Sequence, residues 1–398
     1  MLQLQIVRFP KGSYIVVEGK ESGDNFYIIQ QGLVQCFKAT GSGIAPVQYG
    51  PGDFVGVVPC MSGHLQIETA IALTDVAAIS VKRDQYPELI AQNTPVALKI
   101  IKTFANRMRV MNQMLTKATL NSVVKDNHEQ IFQVAQYYDK NAQADMAVFA
   151  YYQYLKTRPV GESAEFAKKR FTQLKGRTHA VYYEPSNELT RQYPINTMIF
   201  SEAQSGSDMF IIKSGEVAIS KVVNGNEVTL AILGQGDMFG EMALIENKPR
   251  SANAIAHSDC DLMVVNRSNF NQMVSTQPQL ISKLTTTLAE RLWSMYRQLD
   301  NANLSDPLAK LIDILSLQVE KMKIPPFNAN GQKQSLQTDL TLKDLVNLCA
   351  MQTNVQAKAQ YDFQLQPNFK VINGKIYIKD VQELLKQAAF YRKQNNAK

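Results

Sequence analysis

The sequence predicts an α+β protein: two antiparallel, jelly-roll-like β-rolls, a helical linker between them, and a C-terminal winged helix-turn-helix. Three observations predict this. A pair of motifs recurs in the same order at a near-constant offset. Each copy has the texture of short strands and then turns to a helical period. The C-terminal stretch runs helix, helix, turn, helix, hairpin.

The repeat comes first because it sets the organisation of the whole chain. Asn25-Phe26-Tyr27-Ile28-Ile29-Gln30-Gln31-Gly32-Leu33-Val34 returns as Asp208-Met209-Phe210-Ile211-Ile212-Lys213-Ser214-Gly215-Glu216-Val217. Further on, Gly52-Asp53-Phe54-Val55-Gly56 returns as Gly236-Asp237-Met238-Phe239-Gly240. The offset is 183 in the first pair and 184 in the second, so the chain holds two copies of one domain.

Within each copy, runs rich in Val, Ile, Phe and Tyr are broken by Gly, Asn, Asp and Pro, the texture of an antiparallel roll. Val222 to Val228 reads as a hairpin, and Asn224-Gly225 suits the two positive-φ positions of a type I′ turn. From Thr276 to Leu299 the period is helical, with Leu280, Leu284, Leu288, Leu292 and Met295 on one stripe and Pro278 in the first turn. The equivalent helix of the first copy runs from about Thr94 to Leu115. Each roll is expected to be closed by the long helix that follows it. The expected domains are a first roll at 1–115, a linker at 116–178, a second roll at 179–303 and the tail at 304–398.

In the linker, Val134, Ala135, Tyr138, Ala147, Tyr151 and Pro159 have the spacing of one tetratricopeptide-like hairpin. A single repeat does not make a solenoid. Two readings fit: a spacer packed on the rolls, which is favoured, or a peptide-docking site.

The chemistry concentrates in Phe239-Gly240-Glu241-Met242-Ala243-Leu244-Ile245-Glu246-Asn247-Lys248-Pro249-Arg250-Ser251-Ala252. A short helix beginning near Gly240 presents free backbone N–H groups to an anion. Arg250 is a planar, always-charged fork matched to two phosphate oxygens. Glu241 accepts from a sugar hydroxyl, and Ser251 adds a hydroxyl donor. Together these meet the needs of a cyclic phosphate fused to a ribose.

Phe239-Gly240-Glu241 followed by Pro249-Arg250-Ser251-Ala252 resembles the phosphate-binding cassette of cyclic-nucleotide-binding domains, and Phe210-Ile211-Ile212 with Gly215-Glu216-Val217 extends the likeness over the second roll. The resemblance implies binding without catalysis. Glu241 would hold the ribose, Arg250 and Ser251 the phosphate, and Gly240, Met242 and Ala243 would contribute backbone. It also puts purine contacts on the long helix after the roll, where Tyr296 is the candidate beside Met295 and Trp293. Core packing is the competing role for those three. Cyclic AMP is favoured over cyclic GMP as ligand, Ser251 being compatible with both, and no metal is expected.

The first copy departs from the pattern. Val57 stands where Glu241 does, Gln66 where Arg250 does, and Ile67 where Ser251 does. Two lost charge-assisted bonds at roughly 1.5–3 kcal/mol each weaken binding about a hundredfold or more. The first roll is therefore expected to be structural, dimerising or differently liganded.

In the tail, Asp306-Pro307 opens a helix to about Glu320, Thr341-Leu342-Lys343-Asp344 starts a second with a capping-box shape, and a third runs from Thr353 to Phe363. Phe369 to Ile378 is a hairpin about Asn373-Gly374. Placed after the roll, this order resembles catabolite-activator-type transcription regulators. Gln352, Thr353, Asn354, Gln356 and Lys358 are the DNA-contact candidates, with Gln360 nearby. The third helix lacks Arg, so a protein-binding or vestigial winged helix competes with DNA binding.

Composition agrees with a globular chain: 398 residues, 45% hydrophobic and 19% charged. Of the net charge of +7, the part from Asp306 onward supplies +5, from 13 Lys and Arg against 8 Asp and Glu. This points mildly to a nucleic-acid partner. Cys36, Cys60, Cys260 and Cys349 have no metal-like spacing. There is no Walker A loop, and His128-Glu129 meets Phe132 where a zinc protease needs its second His. An enzyme is not expected. Met1 to Gln5 lacks a signal-peptide pattern and no apolar run nears 20 residues, so a cytoplasmic protein without membrane contact is expected. The leading function is a homodimeric, ligand-gated transcription regulator. The alternative is a non-DNA signalling adaptor that docks a protein partner.

Overall fold

Short β-branched runs with a buried face begin the chain. In the computed structural model, which describes residues 4–396 apart from 22, 39–44, 121–127, 181–187, 224, 329, 350 and 352, they form the first roll. Its strands are β1 (Gln5–Phe9), β2 (Tyr14–Val16), β3 (Asn25–Gln31), β4 (Val34–Phe37), β5 (Val47–Tyr49) and β6 (Phe54–Val55). Helix α1 (Val57–Ser62) interrupts them before β7 (Thr69–Ala72) and β8 (Val76–Lys82), and α2 (Tyr86–Gln92) and α3 (Thr94–Leu120) follow. All pairings are antiparallel, in two sheets ordered β1-β8-β3-β6 and β2-β7-β4-β5. Val16, Ile29, Val34, Cys36, Val55 and Ala70 fill the space between them.

The linker contains α4 (His128–Lys140), α5 (Ala144–Lys156) and α6 (Glu162–Lys175). The second roll repeats the first: β9 (Thr190–Tyr193), β10 (Met198–Phe200), β11 (Met209–Ser214), β12 (Val217–Val223), β13 (Asn226–Leu233) and β14 (Met238–Phe239), then α7 (Glu241–Glu246), β15 (Asn253–Ala256) and β16 (Cys260–Val265). Its sheets are ordered β10-β15-β12-β13 and β14-β11-β16-β9. The β12–β13 hairpin forms as expected at Val223↔Asn226, and Gly225 has φ of 73°. Asn224 lies outside the described residues. After the roll come α8 (Arg267–Thr276) and α9 (Pro278–Ala302).

The tail holds α10 (Pro307–Lys321), β17 (Leu336–Thr341), α11 (Leu342–Leu348), α12 (Thr353–Gln364), β18 (Phe369–Ile372), β19 (Lys375–Ile378) and α13 (Val381–Asn396). Asp306 caps α10 by accepting from the Leu308 N–H at 3.1 Å, and Thr341 and Asp344 form the capping box that starts α11. The β18–β19 turn places both Asn373 and Gly374 at positive φ, 52° and 78°.

The chain divides into two compact units, Met1–Ile100 with Pro278–Lys398, and Ile101–Gln277. In the first unit, α9 packs on α1 and α2 of the first roll. This departs from the expectation that each roll is closed by the helix following it. The reason lies in α1, whose Val57, Val58 and Met61 offer an apolar seat where the second copy has Glu241. Ile281, Leu284, Leu288 and Leu292 of α9 are fully buried, and the hydroxyls of Tyr86 and Thr285 bond at 2.9 Å. Beyond this seat, Arg297 pairs with Asp313 at 3.3 Å and Glu320 at 3.2 Å, and Arg392 of α13 also bonds Asp313.

In the second unit, the aromatic core of the hairpin α4–α5, with Tyr138, Tyr151 and Tyr154, is continuous with Met198, Ala203, Val222 and Ile255 of the roll. Gln130 donates to the Val222 carbonyl at 3.0 Å, and the Tyr138 hydroxyl donates to Glu227 at 2.6 Å. The hairpin is thus packed on the second roll. Among the described residues, no helix is long and apolar enough to cross a membrane.

Candidate ligand-binding site

The cassette is built on a tight turn from strand β14 into α7. Gly240, the residue before α7, has φ of 78°, a left-handed conformation that favours glycine. A Cβ there would meet the Arg250 Nη1 at 2.7 Å, the Asp208 carbonyl at 3.2 Å and the Phe200 ring at 3.3 Å. The first copy repeats the device: Gly56 before α1 has φ of 73°. Because α7 starts at Glu241, the N–H groups of its first turn have no acceptor within the helix.

Arg250 is 5% exposed, and its Nη1 donates to the Gly240 carbonyl at 2.8 Å. The guanidinium carbon sits 4.2 Å from the centre of the Phe200 ring, a cation–π contact, and 5.9 Å from that of Phe210. Its Nε has no hydrogen-bond partner among the described residues. Burial pulls the guanidinium pKa down to about 10, while the carboxylates of Asp208 and Glu241 and the Tyr193 hydroxyl oppose that fall. Arg250 remains charged at neutral pH.

The main chain of Arg250 is fixed as firmly as its side chain. Its N–H donates to the Gln204 carbonyl at 2.9 Å, and its carbonyl accepts from Ala203 at 2.8 Å. The same bonds recur in the first copy, where Gly19 donates to Gln66 and Gln66 donates to Lys20, both at 2.8 Å. Ala203 holds φ of 63°, so an alanine occupies the strained position that the first copy gives to Gly19.

Of the other expected ligand residues, Glu241 is 2% exposed at the start of α7, and Met242 and Ala243 are buried in its first turn. The Ser251 hydroxyl lies 3.4 Å from the Met242 sulfur. The structure thus brings Gly240, Glu241, Met242, Ala243, Arg250 and Ser251 together within the second unit. Tyr296 belongs to the first unit, where it is 6% exposed with the Lys38 ammonium 6.0 Å from its ring centre. In the same unit Trp293 stacks on His64 at 3.7 Å.

The second unit also contains a cavity of about 790 Å³. Arg191, Phe200, Arg250 and the loop 203–208 form one side, and Phe149, Gln153 and Lys156 of α5 the other. Of the expected ligand residues, only Arg250 lines it. Asp208 in this loop lies 3.8 Å from Arg191. Near the loop, Lys221 and Glu202 form an ion pair at 2.7 Å, and the Asn253 amide oxygen accepts from the Glu202 N–H at 2.8 Å.

Nothing in the local sequence marks Arg191, Asp208, Glu202, Lys221 or Gln153 as part of a site. The signal available for Asp208 was its place at the head of the repeated motif. Arg109 of α3 was also missed, and it donates to the Pro249 carbonyl at 3.3 Å.

In the first roll, Val57, Gln66 and Ile67 are all buried. Neither polar atom of the Gln66 amide has a hydrogen-bond partner among the described residues. In the tail, Asn354 and Lys358 are exposed on α12, while the Gln356 amide donates to the Met351 carbonyl at 2.8 Å. Gln352 lies outside the described residues, and Thr353 is the first residue of α12.

Comparison with known proteins agrees with the repeat. The cyclic nucleotide-binding domain family matches at residues 6–93 and again at 190–277. The chain is similar to the cAMP-activated global transcriptional regulator CRP of Pasteurella multocida, with 30% identity over 36% of this chain and 68% of that protein. It is similar to the cyclic AMP receptor protein of Thermus thermophilus, 34% identical over 28% of this chain, and spans 51% of that protein's length. A cGMP-dependent protein kinase of Toxoplasma gondii is 44% identical over 21% of this chain and 8% of the kinase.

Proposed function

Because this chain belongs to the cyclic-nucleotide-binding family of CRP-like regulators, we propose that it is a cyclic-nucleotide receptor acting as a ligand-gated transcription regulator. The ligand class rests on one observation above the rest. A buried carboxylate at Glu241 and a buried guanidinium at Arg250 flank a helical turn that starts from a left-handed glycine. Arg250 would take the cyclic phosphate with Ser251 and the first amides of α7, and Glu241 the ribose hydroxyl. We favour cyclic AMP. The names of the Pasteurella and Thermus relatives refer to it, whereas that of the Toxoplasma relative refers to cyclic GMP. This role is binding without catalysis, in a cytoplasmic homodimer.

We read residues 304–398 as a winged helix-turn-helix, with α11 and α12 as the helical pair and β18–β19 as the wing. Asn354 and Lys358 would face DNA; Gln356 is held by the Met351 carbonyl. Titration calorimetry with cyclic AMP and cyclic GMP tests the ligand. Arg250→Ala should weaken binding roughly ten- to a hundredfold, and an unchanged affinity would remove the cassette from the account. A gel shift with genomic fragments at low salt, with and without cyclic AMP, tests the output. Absence of any shift favours the adaptor, for which the exposed Tyr361 of α12 and Leu365 just beyond it offer an apolar patch.

A further inference from the structure

We propose that the cavity between α5 and the second roll is a ligand site of its own, and that it takes a nucleoside phosphate. It lies wholly within one unit, and its volume of about 790 Å³ falls in the usual range of small-molecule sites, about 300–1,000 Å³. The proposal shares Arg250 with the cyclic-nucleotide reading but does not depend on Glu241, Ser251 or the α7 amides, which do not line the cavity.

Three features select the ligand. The first is charge: Arg191 and Arg250 line the wall and Lys156 the rim, against one carboxylate, Asp208. An anion is favoured there. The second is an unused donor. Arg250 is 5% exposed, yet its Nε has no hydrogen-bond partner among the described residues. A buried donor left in that state is unfavourable, and a phosphoryl oxygen in the cavity would satisfy it. Gly206 leaves the approach open, since a Cβ there would stand 2.9–3.2 Å from the guanidinium. The third is an aromatic lining. Phe149, Tyr193 and Phe200 line the same space, and the buried amide of Gln153 offers a donor and an acceptor to the edge of a base. Phosphoryl group and ring together describe a nucleoside phosphate.

The linker acquires a function in this arrangement. Phe149, Gln153 and Lys156 come from α5, a helix that neither repeat contains, so the hairpin supplies specificity that the roll alone lacks.

The test is titration calorimetry on the full chain with 5′-AMP, cyclic AMP and inorganic phosphate as separate probes. It uses the wild type, Lys156→Glu and Gln153→Leu, with circular dichroism confirming that each variant is folded. The expected result is 5′-AMP binding that weakens at least tenfold in both variants, while cyclic AMP affinity at the cassette stays within threefold. A second cyclic AMP event that both variants remove also supports the site. Failure of 5′-AMP and cyclic AMP to show any event sensitive to either variant overturns it. Inorganic phosphate binding as tightly as 5′-AMP overturns the nucleoside assignment. The cassette reading fails separately, if wild type binds no cyclic nucleotide or Glu241→Gln leaves that binding unchanged.

Discussion

Lys221 Nζ stands 2.7 Å from Glu202 Oε1, with side chains 6% and 0% exposed. Gln130 of the linker reaches the same carboxylate at 3.4 Å, so the pair sits at the seam between α4 and the roll. Removing one partner strands a buried charge. Lys221→Met should cost about 3–5 kcal/mol in chemical unfolding. Adding Glu202→Gln should return much of that loss. Strict additivity of the two single changes in a double-mutant cycle would show that the pair is uncoupled.

Arg250 works through the shape of its fork as well as its charge. One arm donates to Gly240 and the plane lies against Phe200. Lysine keeps the charge but cannot stack or bond in the same plane. Arg250→Lys should therefore weaken cyclic-nucleotide binding about tenfold or more by calorimetry, and lysine retaining full affinity would show that charge alone suffices.

His64 lies flat on Trp293, the single tryptophan of the sequence. Burial, with Lys323 and Arg297 nearby, holds its pKa below the usual histidine value, and Glu290 and Glu320 oppose this in part. The unfolded chain therefore binds the proton more tightly, so stability conferred by neutral His64 falls as pH drops through about 6.5. Tryptophan emission should change with a midpoint below that value and lose the transition in His64→Ala. A pH-independent spectrum in the wild type would contradict the stacking.

Gln66 occupies the position of Arg250, but neither polar atom of its side chain has a hydrogen-bond partner among the described residues. Exchange for the unbranched apolar Met should raise the stability of the full chain by about 1–3 kcal/mol, read from the denaturant midpoint. A destabilisation of similar size would mean that the amide has a partner in solution.

If α12 lies along DNA, Lys358→Ala should reduce the salt dependence of the gel shift by about one unit of slope, equally for all sequences. Asn354→Ala should instead alter which sequences are bound. Variants indistinguishable from wild type in both respects would move the interface off this helix.

The two rolls and the cassette were legible because their information is local and repeated. Gly240, Glu241 and Arg250 sit within eleven residues, and the glycine positions before α1 and α7 recur at an offset of 184. The seating of α9 was not legible. Its leucine stripe demands an apolar partner without naming one, and sequence adjacency suggested the wrong roll. The cavity was hidden for a similar reason. Arg191, Asp208 and Lys156 are ordinary surface residues by type, and they converge only because α5 packs on a roll that starts more than thirty residues later. Within its unit Trp293 packs against His64, a partner that helical spacing alone did not name.

The seat of α9 on α1 also fixes where the chain cannot be cut. A repeat invites division at its midpoint, yet a piece lacking the first roll would leave Leu284, Leu288 and Leu292 bare to water and prone to self-association. The first roll, with Val57 and Gln66 at the positions of Glu241 and Arg250, is the foundation of the tail: Tyr86 bonds Thr285 of α9, and α9 holds α10 through the Arg297–Asp313 pair. That seat gives the first roll a mechanical duty in the chain, whatever it binds.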